Sequence, residues 1–200
     1  MEKLISYLQS IAPLSPELEK HLRSIIRKHS WQAGEFLLKP GKVCRRIIFV
    51  QTGLIRIYHM LGNRQVTDWF LKEDDICISV GSFFNQTKSK EYHITLEDCV
   101  CWGITFKQLQ KTFVLHPEFL LHGMKISNRY YEALDDRSSF LKGQTPENKY
   151  EWLIGQNPDY TNRIKIADMA SYLDVGERTF KAIKAEFLQK DLKRRRKPGQ

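Results

Sequence analysis

The sequence predicts an α+β chain: two short helices, a β-barrel of jelly-roll type, one long helix and a C-terminal helix-turn-helix. Three observations carry that expectation. From Ser30 to Ile104 apolar residues alternate, and turn residues recur every eight to twelve positions, as in many short strands. From about residue 116 to 142 the apolar period is helical. From Ile166 to Phe187 two short helical stripes flank the break Asp174-Val175-Gly176.

Leu4, Ile5 and Leu8 mark the first helix. Ser15-Pro16-Glu17 starts the second, with Ser15 as N-cap and Pro16 at the first helical position, where its missing N–H is not needed. Leu18, Leu22, Ile25 and Ile26 form its core stripe. Strands are expected at Phe36–Leu38, Arg46–Gln51, Leu54–Met60, Gln65–Leu71, Ile76–Val80, Tyr92–Leu96 and Val100–Ile104. Turns fall at Lys39-Pro40-Gly41, Thr52-Gly53, Leu61-Gly62-Asn63, Glu73-Asp74-Asp75 and the polar run Asn85–Lys90.

After Ile104 the period turns helical. Phe106–Phe113 is a short helix, and His116-Pro117-Glu118 starts a long one reaching about Leu141. Within it Leu120, Met124, Ser127, Tyr131, Leu134, Ser138 and Leu141 step alternately by 4 and 3, an a/d seam. It spans roughly 35 Å and predicts a homodimer; the alternative is a helix lying on its own barrel. Gly143-Gln144-Thr145-Pro146 ends it. The expected units are therefore 1–142, with the dimer helix at about 116–142, and 146–200. Pro146–Ile154 is the first helix of the second unit, closed by Asn157-Pro158.

In that unit Ile166, Met169, Ala170 and Leu173 make one apolar stripe, and Thr179, Phe180, Ile183 and Phe187 make the buried face of the next helix. Ala170 is small where the two must cross. Asp174 stands where such turns go left-handed, a region Asp tolerates. Candidate DNA-binding residues are Lys165, Gly176, Glu177, Arg178, Thr179, Lys181 and Lys184. Arg178 can pair with a guanine edge and Lys181 can reach a base or a phosphate. Lys165 and Lys184 suit phosphates. Glu177 can accept from a cytosine amino group or support the helix start. A helical hairpin with a solvated basic face is the alternative.

The 200 residues carry a net charge of +9, unevenly placed: Thr161–Gln200 holds eleven Lys/Arg against five Asp/Glu, or +6. Basic charge around a helix-turn-helix suits a nucleic-acid partner. The tail Lys193-Arg194-Arg195-Arg196-Lys197-Pro198 is either a phosphate-binding arm or a solvated end. No stretch approaches the ~18–20 apolar residues of a membrane span, and the first residues lack a signal-peptide core. A cytoplasmic protein without a membrane partner is expected. Cys44, Cys77, Cys99 and Cys101 have no metal-finger spacing, and Cys99 and Cys101 face the same way in a strand. Free buried thiols and no cofactor are expected.

Four segments in this order, GEFLLKPGKVCRRIIFVQTGLIRIY (Gly34–Tyr58), VTDWF (Val66–Phe70), LEDCVCWGI (Leu96–Ile104) and IADMASYLDVGERTF (Ile166–Phe180), resemble the Crp-Fnr family of bacterial transcription regulators. The resemblance covers nearly everything from Leu4 to about Leu188. It implies a cyclic-nucleotide-binding-like barrel joined to a winged-helix-type reading head, although little chain follows Leu188. It further implies double-stranded DNA with a two-fold symmetric operator, RNA polymerase and a small-molecule effector as partners. Family members that bind cyclic AMP carry Gly-Glu and Arg-Ser or Arg-Thr pairs; here the first reads Ile78-Ser79 and the second falls in Lys88-Ser89-Lys90. Ser79 lacks a carboxylate's paired acceptors, Ile78 fills space that backbone must approach, and a lysine is a point charge where Arg is a fork. The effector pocket is therefore expected at Ser79, Ser82, Lys88, Ser89 and Lys90, with a ligand other than cyclic AMP.

Family recognition helices carry Arg-Glu with a later Arg, whereas this one reads Glu177-Arg178 with Ala182 at the later position. A sensor module with degenerate DNA binding is thus the alternative function. An enzyme is not expected. A cupin needs a His-x-His pair for its open metal site, and the chain has none.

Overall fold

The computed structural model describes residues 1–195, with side chains through Gln189. Helices α1 (Glu2–Ile11) and α2 (Pro16–Ile25) open the chain. The Leu18 N–H donates to the Ser15 hydroxyl at 3.2 Å, so Ser15 caps α2 with Pro16 in the first turn, as expected. Eight strands follow: β1 (Arg27–Trp31), β2 (Phe36–Leu38), β3 (Arg46–Thr52), β4 (Ile55–Leu61), β5 (Arg64–Leu71), β6 (Ile76–Cys77), β7 (Tyr92–Thr95) and β8 (Cys99–Thr105). They form two four-stranded antiparallel sheets, ordered β1-β8-β3-β6 and β2-β7-β4-β5.

Strand alternation sorts side chains to two faces. From β3, Ile48 and Val50 join Ile55, Ile57, Leu71 and the thiols of Cys77, Cys99 and Cys101 in one core. Phe49, between them, packs instead with Leu4, Leu8 and Leu22 of the opening helices. All four cysteines are buried and free. At Gly53 the backbone is left-handed (φ +100°), and a Cβ would lie 2.6 Å from the Asp98 carbonyl oxygen and Cys99 Sγ, so the β3–β4 turn requires glycine.

The structure departs from the sequence reading in several places. Arg27–Trp31 has no apolar stripe yet pairs with β8 as an edge strand. The expected strand Ile76–Val80 stops at Cys77, and Val80–Asn85 is helix α3. A short apolar run fits strand or helix equally well, and periodicity cannot decide at that length. Ile78 is partly buried and packs against the core that includes the opening helices.

A capping box of Thr105 and Gln108 begins α4 (Phe106–Leu115). Helix α5 (Phe119–Leu141) starts after His116-Pro117-Glu118, which forms the turn before it. Its inner face, Phe119, His122, Ile126 and Tyr130, turns to the core, with Phe119 against Phe113 of α4, His122 on the Ala12 carbonyl after α1 and Tyr130 on β6. The Tyr130 hydroxyl accepts from the Ile76 N–H at 2.6 Å and donates to the Ile76 carbonyl at 3.0 Å. Helices α6 (Pro146–Gln156), α7 (Tyr160–Arg163), α8 (Ile166–Tyr172) and α9 (Glu177–Arg195) complete the described chain. The one-turn α7 has no counterpart in the sequence reading. Among the described residues no strand follows α9, so the wing implied by the family resemblance is not found there. The side chains of the basic run from Lys193 to Pro198 lie outside the described residues. No described helix is long and apolar enough to cross a membrane.

Candidate nucleic-acid interface and effector region

Helices α8 and α9 cross through Met169, Ala170, Leu173, Phe180 and Ile183, all at most 3% exposed. Ala170 sits at the crossing, and its carbonyl accepts from the Val175 N–H at 3.0 Å. Asp174 has φ +50°, the left-handed turn expected of it. The second helix then presents Glu177, Arg178, Thr179 and Lys181 to solvent, next to the exposed Gly176. Thr179 is exposed, against the sequence expectation of a buried position. A helix turns about 100° per residue, and burial of Phe180 swings its neighbour outward.

Among the described residues Arg178 has no ion-pair partner, and Lys165 is exposed at the N-cap of α8. Lys181 Nζ meets Glu177 Oε1 at 2.6 Å, an exposed pair worth little energy. Lys184 is half-buried, with Nζ donating to the Thr161 carbonyl at 3.2 Å, so it lies against α7 and not among the open side chains.

The sequence reading missed that α8 is docked on the barrel. Arg56, 6% exposed in β4, donates Nε to Thr67 Oγ1 at 3.0 Å and one guanidinium N–H to Gln65 Oε1 at 2.8 Å. The same guanidinium pairs with Asp168 of α8 at 2.8 Å. Ser171 accepts from the Thr67 N–H and donates to the Gln65 carbonyl, both at 3.0 Å. Arg163 reaches three carboxylates: Glu97 at 2.7 and 2.8 Å, Glu73 at 3.0 Å twice, and Asp159 at 2.9 Å. Bidentate pairs of this kind are strong and directional. Burial alone would raise Glu73, but hydrogen bonds from Arg163 and the Gly53 N–H hold its carboxyl down at about 2. Hydrogen bonds to Glu97 and then to Glu73 push Arg163 further up. The one sequence signal is Arg56 itself, a charge inside the apolar strand Leu-Ile-Arg-Ile-Tyr.

The expected effector residues divide. Ser79, Ser82 and Ser89 are buried together, whereas Lys88 and Lys90 are exposed. Ser79 and Ser89 share a hydrogen bond at 3.2 Å. Ser82 accepts from the Cys44 N–H at 2.8 Å and donates to the Thr87 carbonyl at 2.6 Å. Ser89 also accepts from the Glu91 N–H at 3.0 Å. The three hydroxyls are occupied within the fold. Nearby, His93 joins Glu91 Oε2 at 3.1 Å to Cys77 Sγ at 3.3 Å, and burial pushes the Cys77 thiol up. Among the described residues no group of three or more His, Cys, Asp or Glu could hold a metal ion.

The expected seam is largely bare. Leu120, Met124, Tyr131 and Leu134 are 53, 55, 73 and 46% exposed, Ser127 and Ser138 are exposed, and Leu141 is half-buried. Ser127, Tyr131 and Leu134 border an apolar hollow of about 510 Å³ that runs in toward Trp69, Ile78 and Phe49.

Residues 28–115 match the family model of the cyclic nucleotide-binding domain. No curated protein matches the chain by sequence. Among solved structures it is similar to FixK2 from Bradyrhizobium japonicum (TM-score 0.72, 12% identity, covering 84% of this chain and 86% of that one). It is also similar to a Crp/Fnr-family transcriptional regulator from Eubacterium rectale (0.69, 12%, 88% and 85%). The c-di-GMP responsive global regulator CLP from Xanthomonas campestris follows (0.65, 14%, 88% and 93%). Residues 28–115 are thus a cyclic nucleotide-binding domain, set in a chain with the fold of the Crp/Fnr family of transcription regulators.

Proposed function

We propose that this chain is a sequence-specific DNA-binding transcription regulator, acting as a cytoplasmic homodimer and answering to an effector other than cyclic AMP. The observation that carries DNA binding is the α8–α9 crossing, with Arg178 and Lys181 open to solvent at the start of the second helix. Side chains in that first turn reach base edges when such a helix enters a major groove. Support for the dimer comes from the row of exposed apolar residues along α5. Support for a different effector comes from the three serine hydroxyls, each of which is already hydrogen-bonded within the fold.

We read the strand orders as a jelly roll and divide the chain into a sensor at 1–142 and a reading head at 146–200. RNA polymerase is the further partner this reading implies, and catalysis has no part in it. A second reading, a sensor with degenerate DNA binding, draws on the Lys181–Glu177 pair and the anchored Lys184. Selection of bound sequences from a random duplex library by the full-length protein decides between them. Two half-sites related by two-fold symmetry are expected. Failure to enrich any sequence overturns the regulator reading.

A further inference from the structure

Two hollows meet on helix α5, one wholly apolar and the other basic. The apolar hollow, about 510 Å³, runs in toward Phe49, Trp69 and Ile78. Interiors are ordinarily packed as densely as organic crystals, and ~300–1,000 Å³ is the range of small-molecule sites. Among the described residues no charged side chain lines it, and no histidine, cysteine or methionine that could ligate iron. Val80 and Phe84 of α3 and Tyr131 and Leu134 of α5 stand at its open side, all exposed. Large side chains left in water around one opening are the mark of a binding surface.

Tyr131 and Leu134 also border the second hollow, of about 610 Å³, so the two join at these residues. Arg137, Lys142 and Lys149 line it, against Asp135 and Asp174. Among the described residues none of the three cations lies within 4 Å of a carboxylate. Arg137 is half-buried and already positioned. One Nη donates to the Tyr172 carbonyl at 2.8 Å, and the guanidinium lies 4.2 Å from the Tyr172 ring centroid. Its Nε has no hydrogen-bond partner among the described residues, so this guanidinium keeps donor capacity that the fold does not use.

A second copy of α5 does not fill the apolar hollow. Leu120 and Met124, the exposed apolar residues that begin the seam, do not line it. A helix with its side chains is about 10–12 Å across, so a partner helix on the seam would roof the hollow and leave it empty. A slender apolar chain with an anionic end matches both hollows at once.

We propose that they form one site for a long-chain acyl anion, the chemistry of a free fatty acid. The acyl chain occupies the apolar hollow, and the carboxylate lies at Arg137 with Lys142 and Lys149 beside it. A carboxylate matches the fork of a guanidinium, which an alcohol of the same length cannot do. The site lies apart from the serine cluster and depends on neither the DNA-binding nor the dimer reading.

Calorimetric titration of the full-length protein with decanoate, dodecanoate, tetradecanoate and tetradecanol, each below its aggregation concentration, tests it. Tetradecanoate is expected to bind one per chain at about 10 μM or tighter. Each loss of two methylenes should weaken binding about tenfold. Tetradecanol should bind about tenfold less tightly than the acid. Val80→Trp narrows the opening from an exposed position and should weaken acid and alcohol alike. Arg137→Gln should erase the preference for the acid while keeping the wild-type affinity for tetradecanol, which also shows that the variant folds. Lys142→Gln, at an exposed residue, should reduce the same preference without disturbing the core.

Affinity that ignores chain length overturns the proposal, as does equal binding of acid and alcohol by wild type. So does the absence of tetradecanoate binding below about 1 mM. A preference for the acid that survives unchanged in both Arg137→Gln and Lys142→Gln overturns the placing of the carboxylate. Binding to phosphatidylglycerol vesicles without binding of the free acid overturns it by assigning the surface to a membrane. Tetradecanoate that splits a wild-type dimer in light scattering overturns it by assigning the apolar rim to the second copy. Failure of DNA selection with intact binding of the acid would instead sink the regulator reading alone.

Discussion

Arg56 on β4 and Asp168 on α8 meet at 2.8 Å, with side chains 7% and 15% exposed. One residue belongs to the β-sheet domain and the other to the first helix of the α8–α9 hairpin, so a buried ion pair ties the two together. Around it lie the Ser171 bonds to β5 and the Arg163 bridge to Glu73 and Glu97. Phe70 packs from β5 against Tyr160 and Tyr172 in a core shared by both regions. Helix α9 in turn packs on α8 and on Tyr150 of α6 through Phe180 and Phe187.

Removing one member of such a pair leaves the other buried and uncompensated, at a cost of about 3–5 kcal/mol. Asp168→Ala should lower the urea midpoint by that equivalent. The double change Arg56→Met, Asp168→Leu removes both charges and should recover most of the loss. An unchanged midpoint in Asp168→Ala would mean that the two side chains do not meet in solution.

Two neighbouring carboxyls give opposite pH dependences. Burial raises Asp75 from 3.8 to about 6, against the Lys72 N–H bond that lowers it. Its folded form binds protons more tightly, so its contribution is complete below about pH 4 and lost as pH rises to about 6. Glu73 is depressed from 4.5 to about 2, so its contribution is complete above pH 4.5 and lost as pH falls toward 2. Thermal melts across pH should show the first loss abolished in Asp75→Asn and the second in Glu73→Gln. Identical pH profiles for wild type and both variants would refute these assignments.

Leu134 is 46% exposed on the outer face of α5, so a charge there should leave the single chain folded. In a dimer along the seam, Leu134→Asp places two carboxylates in one apolar interface, where unpaired charge is strongly unfavourable. Light scattering should report a wild-type dimer and a folded, monomeric variant. A wild type that is already monomeric at micromolar concentration excludes the seam as a dimer interface.

Cyclic AMP and cyclic GMP need a fork of donors for one phosphate charge, and the serine cluster offers hydroxyls already bonded to the fold. Calorimetry should find neither binding tighter than about millimolar. Micromolar affinity for either would restore the ordinary cassette to this barrel.

Legibility in the sequence followed period and length. Helix α5 and the α8–α9 hairpin were readable because 3.6-residue stripes run long enough to decide, and Asp174 announces its turn chemically. Helix α3 was not, because Val80–Asn85 is too short for a period to emerge. Strand β1 was not, because an edge strand with both faces partly wet has no apolar alternation. The docking of α8 was hidden for a different reason. Arg163 and Glu73 are ninety residues apart in sequence, and each alone reads as a surface charge. Ser79, Ser82 and Ser89 are buried near one another, and their hydroxyls hydrogen-bond within the fold.

On the proposed DNA-binding reading, base contacts and phosphate contacts fall to different residues. Arg178 is exposed in the first turn of α9 and unpaired among the described residues, the position from which a guanidinium reaches a guanine edge. Lys165 is exposed where α8 begins, the position proposed for a phosphate contact. Arg178→Ala should therefore lose discrimination at one position of each half-site, by about 1–3 kcal/mol. Lys165→Ala should weaken binding to all sequences alike and reduce the salt slope by about 0.9, the counterions of one phosphate. Lys184→Ala should change the slope less, since Lys184 Nζ is spent on the Thr161 carbonyl. Competition binding against single-base operator variants, repeated over a salt series, measures all three. If Arg178→Ala and Lys165→Ala both act equally on every sequence, the helix offers only positive charge, and specific recognition by α9 is excluded.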